Sequence, residues 1–497
     1  MFPYKTSFYL NRKISQPLYL QLSNQFIQLI KEQKLPPKTK LPGSRTLAEM
    51  LNVHRKTIVA CYEELLLQGW TESIAKKGTF VHSNLPLLHQ TEFLSSAIES
   101  DNCKTGFSFY KKDIKPYQNQ EKKDDFIFLN DGISDVRLTP IDEISRTYRR
   151  ITSKKNIFKE LGYNSIYGNQ KLREVLVNYL NETRGLKISK DKILITRGSQ
   201  MGIWLSSQLL LEEKDIIVTG ETNYASANRT FLNQNARIKT VEVDENGIIT
   251  NQLESLCKQQ QINAVYVTSH HHHPTTVTLS AERRIHLLNL SKEYNFAVIE
   301  DDYDYDFNYN HAPILPLKSH DTNGNVIYIG SVCKTVAPVF RVGYLIASKE
   351  FVDEAANLRK IVDRQGDALL ELTFADFIKS GDLDRHIRKV MKIYKHRRDL
   401  FCSLFTKELS AFFQFEIPKG GMAIWATLNK KYSWKQVVIE AKKNQLEIGD
   451  FRRYDMMKTN HNAIRIGFAS YNDDEIYELI SRLKKTMIAI SKQGKSS

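Results

Sequence analysis

Three side chains in the stretch YIGSVCKTVAPVFRVGYL stand close enough in sequence to act together: Ser331, Lys334 and Arg341, within eleven residues. Lys334 is flanked by Val332, Cys333, Val336, Ala337 and Val339. An amine in such apolar surroundings gives up its proton more readily and becomes a nucleophile. Arg341 offers a planar fork suited to phosphate. Thirty-three residues before Lys334, Asp301 lies in FAVIEDDYDYDF at the predicted end of a strand, with Tyr303 two residues on. Further upstream, ITRGSQMGIWL reads as a strand, a Gly-Ser turn and a helix start, where Ser199 and backbone amides make a seat for an anion.

An amine nucleophile, an acid at a strand end and phosphate donors are what pyridoxal 5′-phosphate requires: a lysine for its Schiff base, an acid to keep the ring nitrogen protonated, a hydroxyl for the ring oxygen. Taken singly, each signal has a plainer reading. A lone loop lysine is usually surface charge, and EDDYDYD would also suit a solvated loop or a metal site. The order along the chain joins them. From about 123 onward, β-branched runs (KILIT, DIIVTG, NAVYVT, FAVIED, VIYIGS) alternate with amphipathic stretches such as QKLREVLVNYLNET and AERRIHLLNLSKEY. That alternation predicts a mainly parallel sheet covered by helices. MAIWATL and AIRIGFA add two further strands near the end.

The first 84 residues differ in character. They carry 12 basic and 5 acidic side chains, nearly half of the chain's net charge of +15, and so point to a polyanionic partner. In LPGSRTLAEMLNVHRKTIVACYEELLLQGW, Ser44 is the expected cap of a short helix with Leu47, Met50 and Leu51 inward. Asn52 and Val53 form a turn. A second helix begins near His54, with Ile58, Tyr62, Leu65 and Leu66 inward. This is a helix-turn-helix, which would present Arg55, Lys56 and Thr57 to base edges in the major groove. GWTESIAKKGTFV then predicts two short strands, a wing that carries Lys76 and Lys77 towards phosphate. A packing module with a solvated basic face is the plainer alternative.

Both halves resemble known families. Residues 17 to 82 closely resemble the winged helix of GntR transcription factors, which implies Arg45, Arg55, Lys56, Thr57, Lys76 and Lys77 as contacts to double-stranded operator DNA. Gly43 and His54 stand where that family usually has Ser. Residues 123 to 490 resemble fold type I aminotransferases. That resemblance implies Lys334 as the Schiff-base lysine, Asp301 at the ring nitrogen, Tyr303 at the ring hydroxyl, and Ser199, Gln200, Ser331 and Arg341 around the phosphate. Tyr224 in ETNYASANR matches a pocket tyrosine, although Thr222 and Asn223 replace the usual Pro-Gly. Arg465 in AIRIGFA matches the arginine that grips a substrate carboxylate, and Arg229 is a second candidate. Such sites form at a homodimer interface, to which Tyr163 or Tyr167 of the other subunit would contribute.

A winged helix joined to an aminotransferase-like domain resembles the MocR subgroup of GntR regulators. The implied fold is multidomain: an α+β winged helix-turn-helix over 1–84, a linker over 85–122, an α/β fold type I domain over 123–490 with a small C-terminal subdomain from about 386, and a tail over 491–497. The implied function is a DNA-binding regulator that senses pyridoxal phosphate or its adduct with a small-molecule amine. PTTVT is similar to regulators of cofactor supply, with Thr276 in place of Gly. A working aminotransferase with an accessory DNA-binding domain is the alternative, and PKGGMAIW resembles the enzymes.

Five scattered cysteines suit a reducing cytoplasm, and the start MFPYKTSFYLNRKIS lacks the apolar core of a signal peptide. No run is apolar enough to span a membrane. There remains SHHHHPTT, residues 269–276. Neighbours on an extended chain point to opposite sides, which argues against a metal centre. By the aminotransferase resemblance, His271 takes the family's own histidine position and His273 that of an asparagine near the ring hydroxyl. The run is then a wall of the cofactor pocket.

Overall fold

The computed structural model describes residues 2–85, 107–108, 110, 125–309, 314–332, 334–455 and 461–493. The chain divides into two compact units, Met1–Lys112 and Asp113–Ser497. The expected linker lies almost wholly outside the described residues. The expected tail lies outside them from 494 onward, and its first residues continue the last helix.

In the first unit, helices α1 (Leu18–Lys31), α2 (Ser44–Leu51) and α3 (Arg55–Leu67) pack over an antiparallel hairpin, β1 (Thr71–Ile74) and β2 (Gly78–Val81). Leu22, Phe26, Leu47, Ile58, Cys61 and Leu65 are wholly buried between them. Asn52 closes α2 in the left-handed conformation, φ 51° and ψ 51°, which its short polar side chain tolerates. His54 caps α3: its Nδ1 accepts the Lys56 amide at 3.1 Å.

Three expectations are corrected here. Gly43, not Ser44, is the cap of α2, and it offers no side-chain bond. The Ser44 hydroxyl instead accepts from Arg55 Nε at 3.4 Å. Met50 and Leu66 are exposed, at 39% and 47%. The inward stripe of α3 runs Ile58, Cys61, Leu65 at helical spacing, and Leu66, one residue on, is turned about 100° away from it.

The second unit is built on a seven-stranded sheet. Its strands are β3 (Ile193–Thr196), β4 (Ile216–Gly220), β5 (Arg237–Val241), β6 (Ala264–Val267), β7 (Ala297–Asp302), β8 (Val326–Ser331) and β9 (Gly343–Ile346), in the order β3-β9-β8-β7-β6-β4-β5. All neighbours are parallel except β9, which runs against both β8 and β3. The connection from β8 to β9 covers only residues 332–342, shorter than the helical crossover a parallel return needs. That short connection carries Lys334 and Arg341, so both emerge where β7 and β8 end.

A smaller subdomain is formed by α4 (Asp382–Leu409), an antiparallel sheet of β10 (Phe413–Gln414), β11 (Ala423–Leu428) and β12 (Ala463–Gly467), and α5 (Asp473–Gln493). Phe401, Phe405, Ile424, Ile466 and Leu479 lie in its core. Leu129 does too, because strand Ile127–Leu129 pairs in parallel with Leu446–Ile448. The subdomain expected from about 386 therefore also includes the chain's first strand of this unit, and that strand feeds residues 130–132 into the site.

Candidate cofactor site and nucleic-acid interface

Asp301, the last residue but one of β7, is almost fully buried. Its Oδ2 accepts the Tyr266 hydroxyl at 2.7 Å, while Oδ1 is buried and has no hydrogen-bond partner. Burial, and then the negative charges of Asp302 and Asp304, push its carboxyl up to about 7 against the hydrogen bond from Tyr266. An acid in this state is completed by an N–H⁺ donor at Oδ1, which is what a protonated ring nitrogen supplies.

The anion seat lies at the start of the helix Ser199–Leu210, capped by Gly198 at φ 77°. A Cβ on Gly198 would stand 2.7 Å from Arg341 Nη2. Only glycine lets the guanidinium lie against the helix entrance, where Nη2 donates to the Arg197 carbonyl at 2.8 Å. Gln200 donates to Thr230 at 2.8 Å and keeps a buried Oε1 without a partner. The Ser331 hydroxyl donates to the Val342 carbonyl at 3.2 Å. Burial raises the pKa of the Tyr224 hydroxyl, and Asp301, Asp131 and Arg341 all act on it electrostatically. Asp301 and Arg341 therefore both lie within electrostatic reach of the Tyr224 hydroxyl.

Lys334 Nζ donates to the Gly132 carbonyl at 2.8 Å. The adjacent Asp131 pairs with Arg453 Nη2 at 2.9 Å and lies 3.9 Å from His273 Nε2. Burial alone would raise the Asp131 carboxyl. Arg453, His273, Lys334 and Arg465 together hold it down at about 2. Arg465, on β12, is buried and donates to the carbonyls of Asp131 (2.8 Å) and Pro274 (3.0 Å) and to the Tyr303 hydroxyl (3.4 Å). Tyr303 itself donates to the His271 carbonyl at 3.0 Å.

The four histidines, all buried, divide the work. His270 Nδ1 lies 3.2 Å from Asp302 Oδ1, and His271 Nδ1 lies 2.9 Å from Asp304 Oδ1. These two rings back the acidic run. His272 turns to Thr275 Oγ1 at 2.9 Å, and burial with Arg465 nearby drops it to about 3. His273 turns the other way, edge-on to Tyr224 at 5.2 Å and beside Tyr454 at 5.5 Å. Burial and then Arg465 keep it neutral, well below the usual histidine range. Its Nδ1 is buried without a hydrogen-bond partner.

On the first unit, Arg45, Arg55, Lys56, Lys76 and Lys77 are exposed and Thr57 is half-buried at the start of α3. No carboxylate pairs with any of these cations among the described residues. Lys76 takes the left-handed conformation, φ 62°, and the Lys77 amide closes the hairpin on the Ile74 carbonyl at 3.0 Å. The two lysines thus form the tip of the wing.

Residues 133–483 match the family described as aminotransferase class I and II, and residues 18–81 match the bacterial regulatory proteins of the gntR family. The chain is 28% identical over 472 residues to the uncharacterized HTH-type transcriptional regulator YisV of Bacillus subtilis, which covers 94% of this chain and 95% of that one. It is 23% identical to the "Probable rhizopine catabolism regulatory protein MocR" of Rhizobium meliloti, over 98% and 97% of the two chains. The chain belongs to the aminotransferase class I and II family, and with its gntR-type first unit it fits the MocR subgroup of GntR regulators. The multiple substrate aminotransferase of Thermococcus profundus superposes on this MocR-type chain with a TM-score of 0.71 and 25% identity, covering 75% of it and 93% of the enzyme. No helix among the described residues is long and apolar enough to cross a membrane.

The structure of this MocR-type chain brings His273, Lys334 and Arg465 together around residues 131–132, with Tyr224 edge-on to His273 and electrostatically linked to Asp301 and Arg341. It does not bring Arg229, which is exposed on helix Ala225–Asn233. Tyr163 is 84% exposed and stacks under Arg364, whereas the Tyr167 hydroxyl is bound to Asp353 at 3.0 Å. Sequence reasoning missed Asp131, Arg453 and Tyr454. The only hint was FRRYD, a cluster of two arginines and a tyrosine between strand candidates, and LNDG gave none.

Proposed function

We propose that this MocR-type chain binds operator DNA through its winged helix as a homodimer and holds pyridoxal 5′-phosphate on Lys334, with the cofactor, alone or joined to an amine, as its signal. What carries the cofactor half is Asp301 Oδ1, a buried acceptor without a hydrogen-bond partner, in a carboxylate that acts together with Arg341 on the Tyr224 hydroxyl. When bound, the cofactor supplies an electron-withdrawing ring and a reactive carbonyl carbon. Asp301 would keep the proton on the ring nitrogen. Arg341, Ser199, Gln200 and Ser331 would hold the phosphate, and Tyr303 and His273 the ring-hydroxyl side, with Tyr224 over the same space. Arg465 is the residue suited to a ligand carboxylate.

On DNA, Arg55, Lys56 and Thr57 would meet base edges, while Arg45, Lys76 and Lys77 take phosphates. A dimer would read two half-sites about one helical turn, or a multiple of it, apart. The ligand can shift the DNA-competent state only by its differential affinity for the two arrangements. PTTVT favours free cofactor as the signal and cofactor supply as the regulated process.

Footprinting of the purified full chain upstream of its neighbouring genes, with pyridoxal phosphate titrated, tests this reading. The expected result is protection of paired half-sites that changes with the cofactor. Absence of sequence-specific protection at any cofactor concentration, with turnover of an amino donor and keto acid at ordinary enzymatic rates, would instead make the chain an enzyme.

A further inference from the structure

Arg465 and Arg453 reach the same point in different ways. Arg465 is rooted in a strand, buried, and each of its nitrogens is already held by Asp131, Pro274 or Tyr303. Arg453 sits on the short turn Phe451–Tyr454, with 36% of its side chain exposed. It is bound to the Asp131 carboxylate at 2.9 Å and to the Tyr454 hydroxyl at 2.5 Å. Asp131 follows the first strand of the unit, and 30% of its side chain is exposed. One residue on, the Gly132 carbonyl accepts from Lys334. A single carboxylate of the protein thus stands amid Arg453, His273, Arg465 and Lys334, beside the amine that defines the site.

Arg453, Arg465 and Lys334, with the neutral ring of His273, surround one carboxylate and form an anion site already filled from within. A ligand bearing both an amine and a carboxylate brings a second negative charge to the same place, and two carboxylates cannot share it without strong repulsion. Arg465 stays in place, with a second N–H on each of Nη1 and Nη2 for a ligand carboxylate. The Asp131–Arg453 pair is only partly covered, with 30% and 36% of the two side chains exposed, so it can exchange for a ligand carboxylate.

Resting on the cofactor reading above, we propose that Asp131 is an internal stand-in for the carboxylate of the effector: a primary amine bearing a carboxylate displaces it and takes over Arg453. The pair then sets both which amines are accepted and how tightly. Carboxylated amines bind against Asp131 and gain Arg453. Plain amines leave the pair intact and gain nothing from it. Asp131 and Arg453 are specificity-determining residues that the sequence resemblance does not assign.

The test uses the cofactor-loaded full chain, whose visible absorbance is recorded while L-alanine or ethylamine is titrated. These probes differ by one carboxylate. Asp131→Asn, close in shape, is expected to lower the half-saturating concentration of L-alanine by about 3- to 10-fold and to leave that of ethylamine unchanged. Arg453→Gln is expected to raise it for L-alanine alone, Arg453→Lys to restore part of the loss, and the double variant to follow Arg453→Gln. If Asp131→Asn weakens L-alanine, or moves both probes equally, Asp131 is a structural clip or a direct ligand contact and the proposal is overturned. A wild-type chain that takes up no cofactor, seen as no visible band, removes the cofactor reading and this one together; a normal band with unchanged titrations removes this one alone.

Discussion

On the winged helix, Arg55, Lys56, Lys76 and Lys77 stand in solvent without ion-pair partners among the described residues. In the large unit, Arg184, Arg465, Asp301 and Asp302 are each less than 5% exposed, and their charges are set by one another. Exposed cations keep their hydration, cost the fold little and act on a polyanion nearly independently, through counterion release. Buried charges exist only in sets, so removing one changes the others. The same residue types therefore predict large, coupled, pH-dependent effects at the cofactor site and small, additive, salt-dependent ones on the DNA face.

Asp301→Asn should show the largest effect. It removes the counter-charge of a protonated ring nitrogen in a buried setting, a loss of about 3–5 kcal/mol, or roughly 100- to 1,000-fold or more in cofactor affinity by equilibrium dialysis. Without cofactor the sign reverses. Burial, with Asp302 and Asp304, raises the folded carboxyl to about 7 from an ordinary 3.8. Its neutral form favours the fold, and that advantage fades as pH rises through the interval to about 7. Asparagine cannot lose it. The stability gain of Asp301→Asn in cofactor-stripped protein should thus grow from pH 4 to 7 and level off, approaching about 4 kcal/mol. A gain independent of pH in thermal unfolding would refute the assignment.

Beneath Asp301, Asp302 accepts the Tyr328 hydroxyl at 2.5 Å, and Arg184 donates to the Tyr328 and Tyr344 hydroxyls at 2.6 Å each. Burial would raise the Asp302 carboxyl, but His270 and Arg184 hold it at about 2. Its contribution to stability is present above the ordinary carboxylate range and is lost as pH falls from about 4 towards 2. Asp302→Asn leaves His270 and Arg184 buried without that anion. Chemical denaturation at pH 7 should show a loss of about 3 kcal/mol, shrinking in acid. The double variant with Asp301→Asn should be non-additive, because Asp302 is one cause of the raised Asp301 pKa. Simple additivity would break the contrast with the DNA face.

What was legible followed from local chemistry. Buried parallel strands read as β-branched runs, and helix-turn-helix spacing is short-range, so Lys334, Asp301, Arg341 and the wing lysines could be placed from their own neighbourhoods. Contacts across the chain were not legible. Asp131 and Arg453 are 322 residues apart, and strand Ile127–Leu129 joins a subdomain whose other helices and strands come after residue 380. Leu66 and Met50 were misplaced because an apolar residue one step off a helical stripe looks like part of it. How the four histidines divide was not legible either, because it depends on partners: Asp302 and Asp304 take His270 and His271, while His273 turns to Tyr224 and Asp131.

The smallest effects belong to the wing. Arg55→Ala, at the start of α3, should cost about 1–3 kcal/mol on the operator and relax base preference at one position. Lys76→Ala and Lys77→Ala should each weaken binding almost equally on operator and unrelated DNA. Each should reduce the slope of log affinity against log salt by about 1. Fluorescence anisotropy of the full chain at several salt concentrations measures all three. Neither lysine has an ion-pair partner to strand among the described residues, so folding stability should stay within about 0.5 kcal/mol of the parent and the double variant should equal the sum of the singles. If the wing variants were instead strongly coupled, or lost affinity only on the operator, the lysines would be reading bases or holding the hairpin, and exposed charge in this molecule would be as interdependent as the buried kind.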